Sequence, residues 1–342
     1  MNIINRLARL FAVLLLLLSL LSDFLSPSAP DLQDLNQFYA PPSRIHLLDA
    51  QGNFHWRPFV HRMKLTDALD ARYQVQGDEV YPLEFFCQGY RYRFLGLIPA
   101  STHLVGTRTA GMFHPWGTDA QGRDVLAQTL AGTRSSMLVL LFGIALYFAL
   151  GVTIGACAGM AGSWIDVVLM RFSEFVLALP ALYLVVAVRA LLPPQMPFWQ
   201  TALLTAATIA GVTWPPMARG VRGLILQVRN AGYVEAARAL GASPWYIFRR
   251  HMLPALAPFA MAQIAVAAPV FILGEVILSF LNVGFQNSWA SWGAMLRNLT
   301  QDPRVLTDFW WNLSPLGFVF VTLFCLNSFG RRLRAKEPTQ LA

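Results

Sequence analysis

MLVLLFGIALYFALGVTIGACAGM, running from Met137 to Met160, contains no charged residue. The hydrocarbon core of a bilayer is about 30 Å thick and takes about 20 apolar residues of helix to cross, so this run is long enough. Backbone polar groups find no water in hydrocarbon, and a run this long and uniformly apolar is a helix rather than a tilted barrel strand. Outward from it lie five further apolar runs: Leu10 to Leu25, Val167 to Leu192, Phe198 to Met217, Pro254 to Val283 and Trp310 to Phe329. The pattern predicts an all-α polytopic membrane protein with six transmembrane helices. The first run is the shortest, and Arg6, Arg9 and the following SPSAP also fit a cleavable signal peptide. Asp23 and the lack of an A-x-A site favour an uncleaved span.

Composition agrees with lipid as part of the solvent. Only 13% of the 342 residues are charged and 56% are hydrophobic, against about 25% charged in a soluble domain. That excludes a disordered chain. The net charge of +8 suggests a polyanionic partner until its distribution is read. Six arginines (Arg219, Arg222, Arg229, Arg238, Arg249, Arg250) face only Glu235 between Ala218 and Leu253, and Arg331, Arg332, Arg334 and Lys336 face only Glu337 in the tail. With Arg6 and Arg9, these regions fall on one side of a six-span chain, which the positive-inside rule makes cytoplasmic, with both termini. Residues 28–136 are balanced, with ten basic and ten acidic side chains. The charge is therefore a topology signal and implies no nucleic acid.

Residues 28–113 read as a small extracytoplasmic insert, α/β or mainly β, punctuated by Pro41-Pro42, Gly52, Gly77 and Gly89. YRYRFLGL (Tyr90 to Leu97) alternates like a strand before reaching an apolar patch. Cys87, Cys157 and Cys325 form no disulfide framework. The six histidines contain no HExxH and no i, i+4 pair, so no metal site is expected. Neither Lys64 nor Lys336 stands in a phosphate-cradling GxxxxGK[ST] loop. The chain is expected to be no enzyme and to carry no cofactor, so ATP hydrolysis would belong to another chain.

Chemistry-bearing sequence concentrates in the positive loop: YVEAARALGASPWYIFRRHMLP, Tyr233 to Pro254. Ala-rich residues up to Leu240 favour a helix, Gly241 suits the left-handed position after it, Ser243 can cap a second helix, and Pro244 fits that helix's first turn. A helix-turn-helix is predicted, with small residues on one helix and Trp245, Tyr246 and Phe248 on the other. The run resembles the EAA motif of ABC importer permeases, which docks on the ATPase subunit. Glu235, Ala236, Ala237, Gly241, Leu253 and Pro254 fall in its register, with Ser243 as the cap. His251 replaces the general isoleucine, as in the dipeptide/oligopeptide branch.

HPWGTDAQGRDVL, His114 to Leu126, resembles the HPLGTDxxGRDVL signature before the second span in the C-type subunit of those importers. It puts Gly117, Thr118, Asp119, Gly122, Arg123 and Asp124 at the outer membrane interface, with Thr118 or Asp119 able to cap a helix. EVILSFLNVG (Glu275 to Gly284), SWGAML (Ser291 to Leu296) and Leu326 to Leu333 resemble later family segments, although Arg331 and Arg332 depart from the family there. The long insert resembles the subgroup serving larger peptides, including the microcin C type.

The resemblance implies residues 1–27 as an N-terminal transmembrane helix and 28–136 as an insert ending in an interfacial helix. Residues 137–330 would be a permease core of five transmembrane helices, and 331–342 a basic cytoplasmic tail. It further implies a bacterial inner membrane protein paired with a second permease in a heterodimer. Two ATPase subunits would hold ATP and Mg, and an extracytoplasmic solute-binding protein would deliver peptides. Nickel or another small solute is the alternative cargo. A membrane-embedded enzyme is the rival class, with Glu275 and Glu174 as its only acids in the spans.

Plainer readings stand beside these. Glu235 alone would be a solvated carboxylate, Gly241 a turn residue, and His251 a histidine near a helix end. Arg171 and Glu174 are spaced for a structural ion pair. Glu275 has two readings, facing the translocation path or bonding across helices. Pro180 should kink its helix, and Trp310 and Trp311 fit an interfacial belt.

Overall fold

The computed structural model describes residues 2–48, 54–94, 97–109, 112–191, 193, 196–285 and 289–335. The end of the predicted basic tail, including Lys336 and Glu337, lies outside the described residues. The chain forms two compact units, one of residues 10–137 and 276–322 and one of residues 1–9, 138–275 and 323–342.

The first unit holds the end of α1 (Asn2–Leu20), the short α2 (Ser22–Leu25) and five strands. Strands β1 (His46–Leu48), β2 (Phe54–Asp67) and β3 (Arg72–Pro82) form an antiparallel sheet in sequence order. Strands β4 (Glu84–Phe94) and β5 (Ile98–Gly106) pair as a separate antiparallel hairpin. The described part of the insert is thus mainly β, and the alternation in YRYRF falls on β4. Val60, Leu83 and Phe113 form a small core beneath β2. A second core joins Tyr39 to Phe309, stacked at 4.1 Å between ring centroids, with Val125, Met295, Val305 and Trp311 around them.

One helix, α3 (Val125–Ala161), runs for 37 residues. The segment read as an interfacial helix and the span read from Met137 are therefore continuous. Nothing between Leu126 and Met160 breaks a helix, since Gly132 is tolerated where Trp292 packs on it.

The second unit holds α4 (Ser163–Ala178), α5 (Ala181–Ala190), α6 (Phe198–Thr213), α7 (Pro215–Arg229), α8 (Gly232–Ala239), α9 (Pro244–Ile247), a π-helical turn (Phe248–Met252) and most of α10 (Leu253–Phe280). Small residues set the packing of α3 on α7. A Cβ on Gly151, Gly155 or Gly159 would come within 3.0 Å of Met217, of Ala218 and Val221, or of Ile225. Both sets recur every four residues, the spacing that lets the ridges of one helix enter the grooves of another.

Two expected spans are interrupted. The run Val167 to Leu192 breaks into α4 and α5, bent by 89°, so the predicted Pro180 kink is a full break. Proline disfavours the helical region for the residue before it, and Leu179 is extended at φ −78°, ψ 137°. The run Phe198 to Met217 yields the 16-residue α6, because Pro215 and Pro216 open α7 instead. Among the described residues three helices are long and apolar enough to cross a membrane: Val125–Ala161, Pro244–Phe280 and Trp310–Arg331, with the bent pair as a fourth if it is one span. The last overlaps α12 (Ser314–Ala335), which follows the short α11 (Trp292–Leu299).

Candidate functional site

The predicted helix-turn-helix is present and its turn is built as the residues suggest. Helix α8 closes with Gly241 at φ +83°. Gly241 N–H donates to the Arg238 carbonyl and Ala242 N–H to the Ala237 carbonyl, both at 3.0 Å, the paired bonds of a Schellman cap. Ser243 Oγ accepts the Tyr246 N–H at 3.3 Å and Pro244 occupies the first turn of α9. Three buried side chains, Val234, Ile247 and Met252, anchor the element.

Its outer face is open. Glu235, Ala236, Arg238, Leu240, Trp245 and Tyr246 are exposed, Leu240 by 89% and Trp245 by 67%. Exposed apolar patches rimmed by charge mark interaction surfaces. Glu235 lies in the first turn of α8, where the helix dipole favours a carboxylate. Leu253 and Pro254 begin α10, so the turn leads straight into a long apolar helix. Pro254 has no N–H for the Arg250 carbonyl, and the wider π-helical turn carries the chain past it. His251 sits 5.7 Å from the Tyr233 ring.

Sequence reading missed what braces this element from behind. Arg222 of α7 grips Asp166 of α4 with Nε and Nη2, at 2.5 and 2.6 Å. Arg219 Nε donates to Ser173 Oγ of α4 at 3.2 Å, and Arg229 Nη1 to the Gly159 carbonyl of α3 at 3.4 Å. The clue was an acid, Asp166, ahead of one apolar run and three arginines, Arg219, Arg222 and Arg229, after another. Arg171 and Glu174 pair at 2.8 Å on the exposed face of α4, as their spacing predicts.

The second set of signature residues forms a buried knot. Gly117 and Gly122 have φ of +68° and +70°, and a Cβ on Gly122 would meet the Asp34 carbonyl at 1.8 Å. Thr118 Oγ accepts the Ala40 N–H at 2.7 Å and donates to the Gln37 carbonyl, while the Thr118 carbonyl accepts Trp311 Nε1 at 3.0 Å. Asp119 takes the Gln121 and Arg123 N–H groups at 2.8 and 3.0 Å and pairs with the Arg123 guanidinium at 2.7 Å. The expected cap is corrected here: Asp124, not Thr118 or Asp119, caps α3, accepting the Ala127 N–H at 2.8 Å. Asp124 directly precedes the helix, and its other oxygen meets His114 Nδ1 at 2.9 Å. Thr118, Asp119, Arg123 and Asp124 are buried, so these residues hold structure and present no open ligand surface. Trp311 is buried as the knot's strut rather than set in an interfacial belt, whereas Trp310 is exposed.

Nearby, burial pushes the Tyr39 phenol up to about 12, with the Asp302 and Asp119 carboxylates adding to it. Hydrogen bonds from the Arg304 side chain hold the Asp302 carboxyl below its ordinary value. Glu275 is completely buried in α10. Among the described residues no three His, Cys, Asp or Glu side chains converge as metal ligands.

A family model described as a binding-protein-dependent transport system inner membrane component matches residues 151–334. The dipeptide transport system permease protein DppC of Bacillus subtilis is 36% identical over 66% of this chain and 68% of its own. The oligopeptide transport system permease protein OppC of Haemophilus influenzae is 34% identical over 66% and 70%. A solved chain of the inward-facing MetNI methionine ABC transporter aligns with a TM-score of 0.46 and 15% identity over 61% of this chain and 95% of that one, a likeness too low to carry an argument.

Proposed function

Because the chain belongs to the binding-protein-dependent transport system inner membrane component family, we propose that it is one permease subunit of an ATP-driven peptide importer. It is an inner membrane protein, and its relatives are transport permeases rather than enzymes. Peptide cargo is favoured by the dipeptide and oligopeptide relatives. In this reading six spans cross the membrane, with both termini and the α8–α9 turn cytoplasmic and the β insert outside. A second permease completes the path, and a solute-binding protein meets the outer face near the Gly117 to Asp124 knot. ATP and Mg reside on two ATPase subunits. Full burial of Glu275 supports its cross-helix bonding over a place on the wall of the path.

The exposed face of the α8–α9 turn, mounted on rigid supports, carries the proposal. Glu235, Ala236, Ala237, Gly241 and Ser243 form the part that enters the ATPase, and Leu253 and Pro254 pass its movement to α10. The Schellman and serine caps stiffen the turn, while the Asp166–Arg222 pair ties α7 to α4. Closure of the ATPases would then move the turn and these helices together, a rigid-body switch between inward-open and outward-open states. Replacing Glu235 with Lys, or Gly241 with Asp, should leave the protein in the membrane and abolish co-purification of the ATPase. Normal co-purification of both variants overturns the docking role.

A further inference from the structure

In the β4–β5 hairpin, Cys87 faces His103 and Gln88 faces Thr102, but the pairing then slips so that Tyr92 faces Ala100. The irregularity puts Gly89, Tyr90 and Arg91 opposite Ser101. Bulges re-aim local groups, and here the Tyr90 carbonyl meets the imidazole of His103. His103 Nε2 lies 3.0 Å from the Tyr90 carbonyl, and Nδ1 lies 2.8 Å from the Asp23 carbonyl in α2. Both partners are carbonyl oxygens, which accept and cannot donate. A neutral imidazole carries one N–H; only the imidazolium donates from both nitrogens.

The site is shaped for that cation although His103 is fully buried. The Tyr90 ring lies 4.4 Å from the imidazole and the Tyr92 ring 5.2 Å, centroid to centroid, so aromatic faces and carbonyl dipoles replace water around the charge. Gly89 leaves the room: a Cβ there would fall 2.6 Å from His103 Cδ2. The other ionisable groups facing the ring are accounted for. Asp23 of α2 pairs with Arg134 of α3. Burial pushes the Tyr90 and Tyr92 phenols and the Cys87 thiol of β4 upward, so all three stay neutral near pH 7. Tyr90 OH also donates to the Asp23 carbonyl at 3.4 Å.

We propose that His103 is a proton-held latch fastening the β4–β5 hairpin to α2, at the end of the N-terminal helical segment. With both ring nitrogens protonated, one side chain bridges two backbone segments 67 positions apart. When one proton leaves, a lone pair faces a carbonyl oxygen and one bridge becomes a repulsion. Protonation of both ring nitrogens therefore favours docking, and loss of either proton favours release. The latch depends neither on the cargo nor on which side of the membrane the hairpin faces.

The test uses the full-length chain in lipid nanodiscs with nitrogen-15 histidine. At pH 6 both ring nitrogens of His103, assigned by loss of their signals in His103→Asn, are expected in the protonated range. Amide exchange in residues 84–106, corrected for intrinsic rates, should be about tenfold or more faster at pH 8.5 than at pH 6, the effect of one charge-assisted hydrogen bond. The β2–β3 sheet should not change, and His103→Asn should remove the pH dependence. An unprotonated His103 nitrogen at pH 6, or hairpin exchange independent of pH in the unsubstituted chain, overturns the latch. The nitrogen spectrum of the unsubstituted chain decides even where the variant fails to fold.

Discussion

Gly155→Ala and Gly223→Ala are the same chemical change in two helices of one unit, and the structure separates their effects. Each alanine gains about 1 kcal/mol of helix propensity over glycine. At Gly223, on α7, no atom of the described residues beyond its own stretch of helix lies within 4 Å of the new Cβ, so the full gain should appear. At Gly155, on α3, the Cβ would fall 2.5 Å from the Ala218 carbonyl oxygen and 2.8 Å from Val221 Cβ. Carbon–oxygen contacts seldom close below about 3.3 Å, so α7 must retreat by nearly that difference, roughly 0.8 Å. A backbone carbonyl has no rotamer to move to, and overpacking of this kind costs about 1–3 kcal/mol. Gly223→Ala should therefore stabilise by about 1 kcal/mol, while Gly155→Ala stays level or loses up to about 2 kcal/mol. Thermal unfolding of both variants in the same detergent reads the comparison. A retreating α7 also strains the Asp166–Arg222 pair, so Gly155→Ala should weaken ATPase co-purification where Gly223→Ala does not. Equal thermal shifts for the two variants would refute the close approach of α3 and α7.

Two further predictions concern the first unit. Asp124→Ala removes the cap of α3, a loss of about 0.5–2 kcal/mol, and the bond to His114 with it; hydrogen exchange in residues 125–129 should speed up while β2–β3 is unchanged. Hydrogen bonding by Arg304 lowers the Asp302 carboxyl, so its contribution is complete above the ordinary carboxylate range and is lost as pH falls through the lowered value. Arg304 also donates to the Leu69 carbonyl at 3.0 Å, so proteolysis near residues 302–308 should rise below about pH 4 and no longer respond to pH in Asp302→Asn.

The turn between α8 and α9 was legible because local chemistry settles it: Gly241, Ser243 and Pro244 each have one conformational reason to stand where they do. Asp124 was harder. Thr118, Asp119 and Asp124 are all competent caps, and the choice rests on where the chain enters α3 after Gly122, a consequence of contact with Asp34 far earlier in sequence. Pro180 announced a bend, but proline chemistry gives no angle; the 89° break comes from Leu179 turning extended. The glycine stripe on α3 was hidden inside a uniformly apolar run, since its partner spacing on α7 is visible only once the helices touch. His103 gave no signal at all, because both its acceptors are backbone carbonyls.

The central claim is that the α8–α9 turn enters an ATPase subunit on the cytoplasmic side. A photo-crosslinking amino acid in place of Trp245, which is 67% exposed at the start of α9, tests it in intact membranes containing the assembled transporter. A covalent product with the ATPase subunit is the predicted result, lost when Glu235→Lys is added. Crosslinks to lipid alone, or to an extracytoplasmic protein, would contradict it.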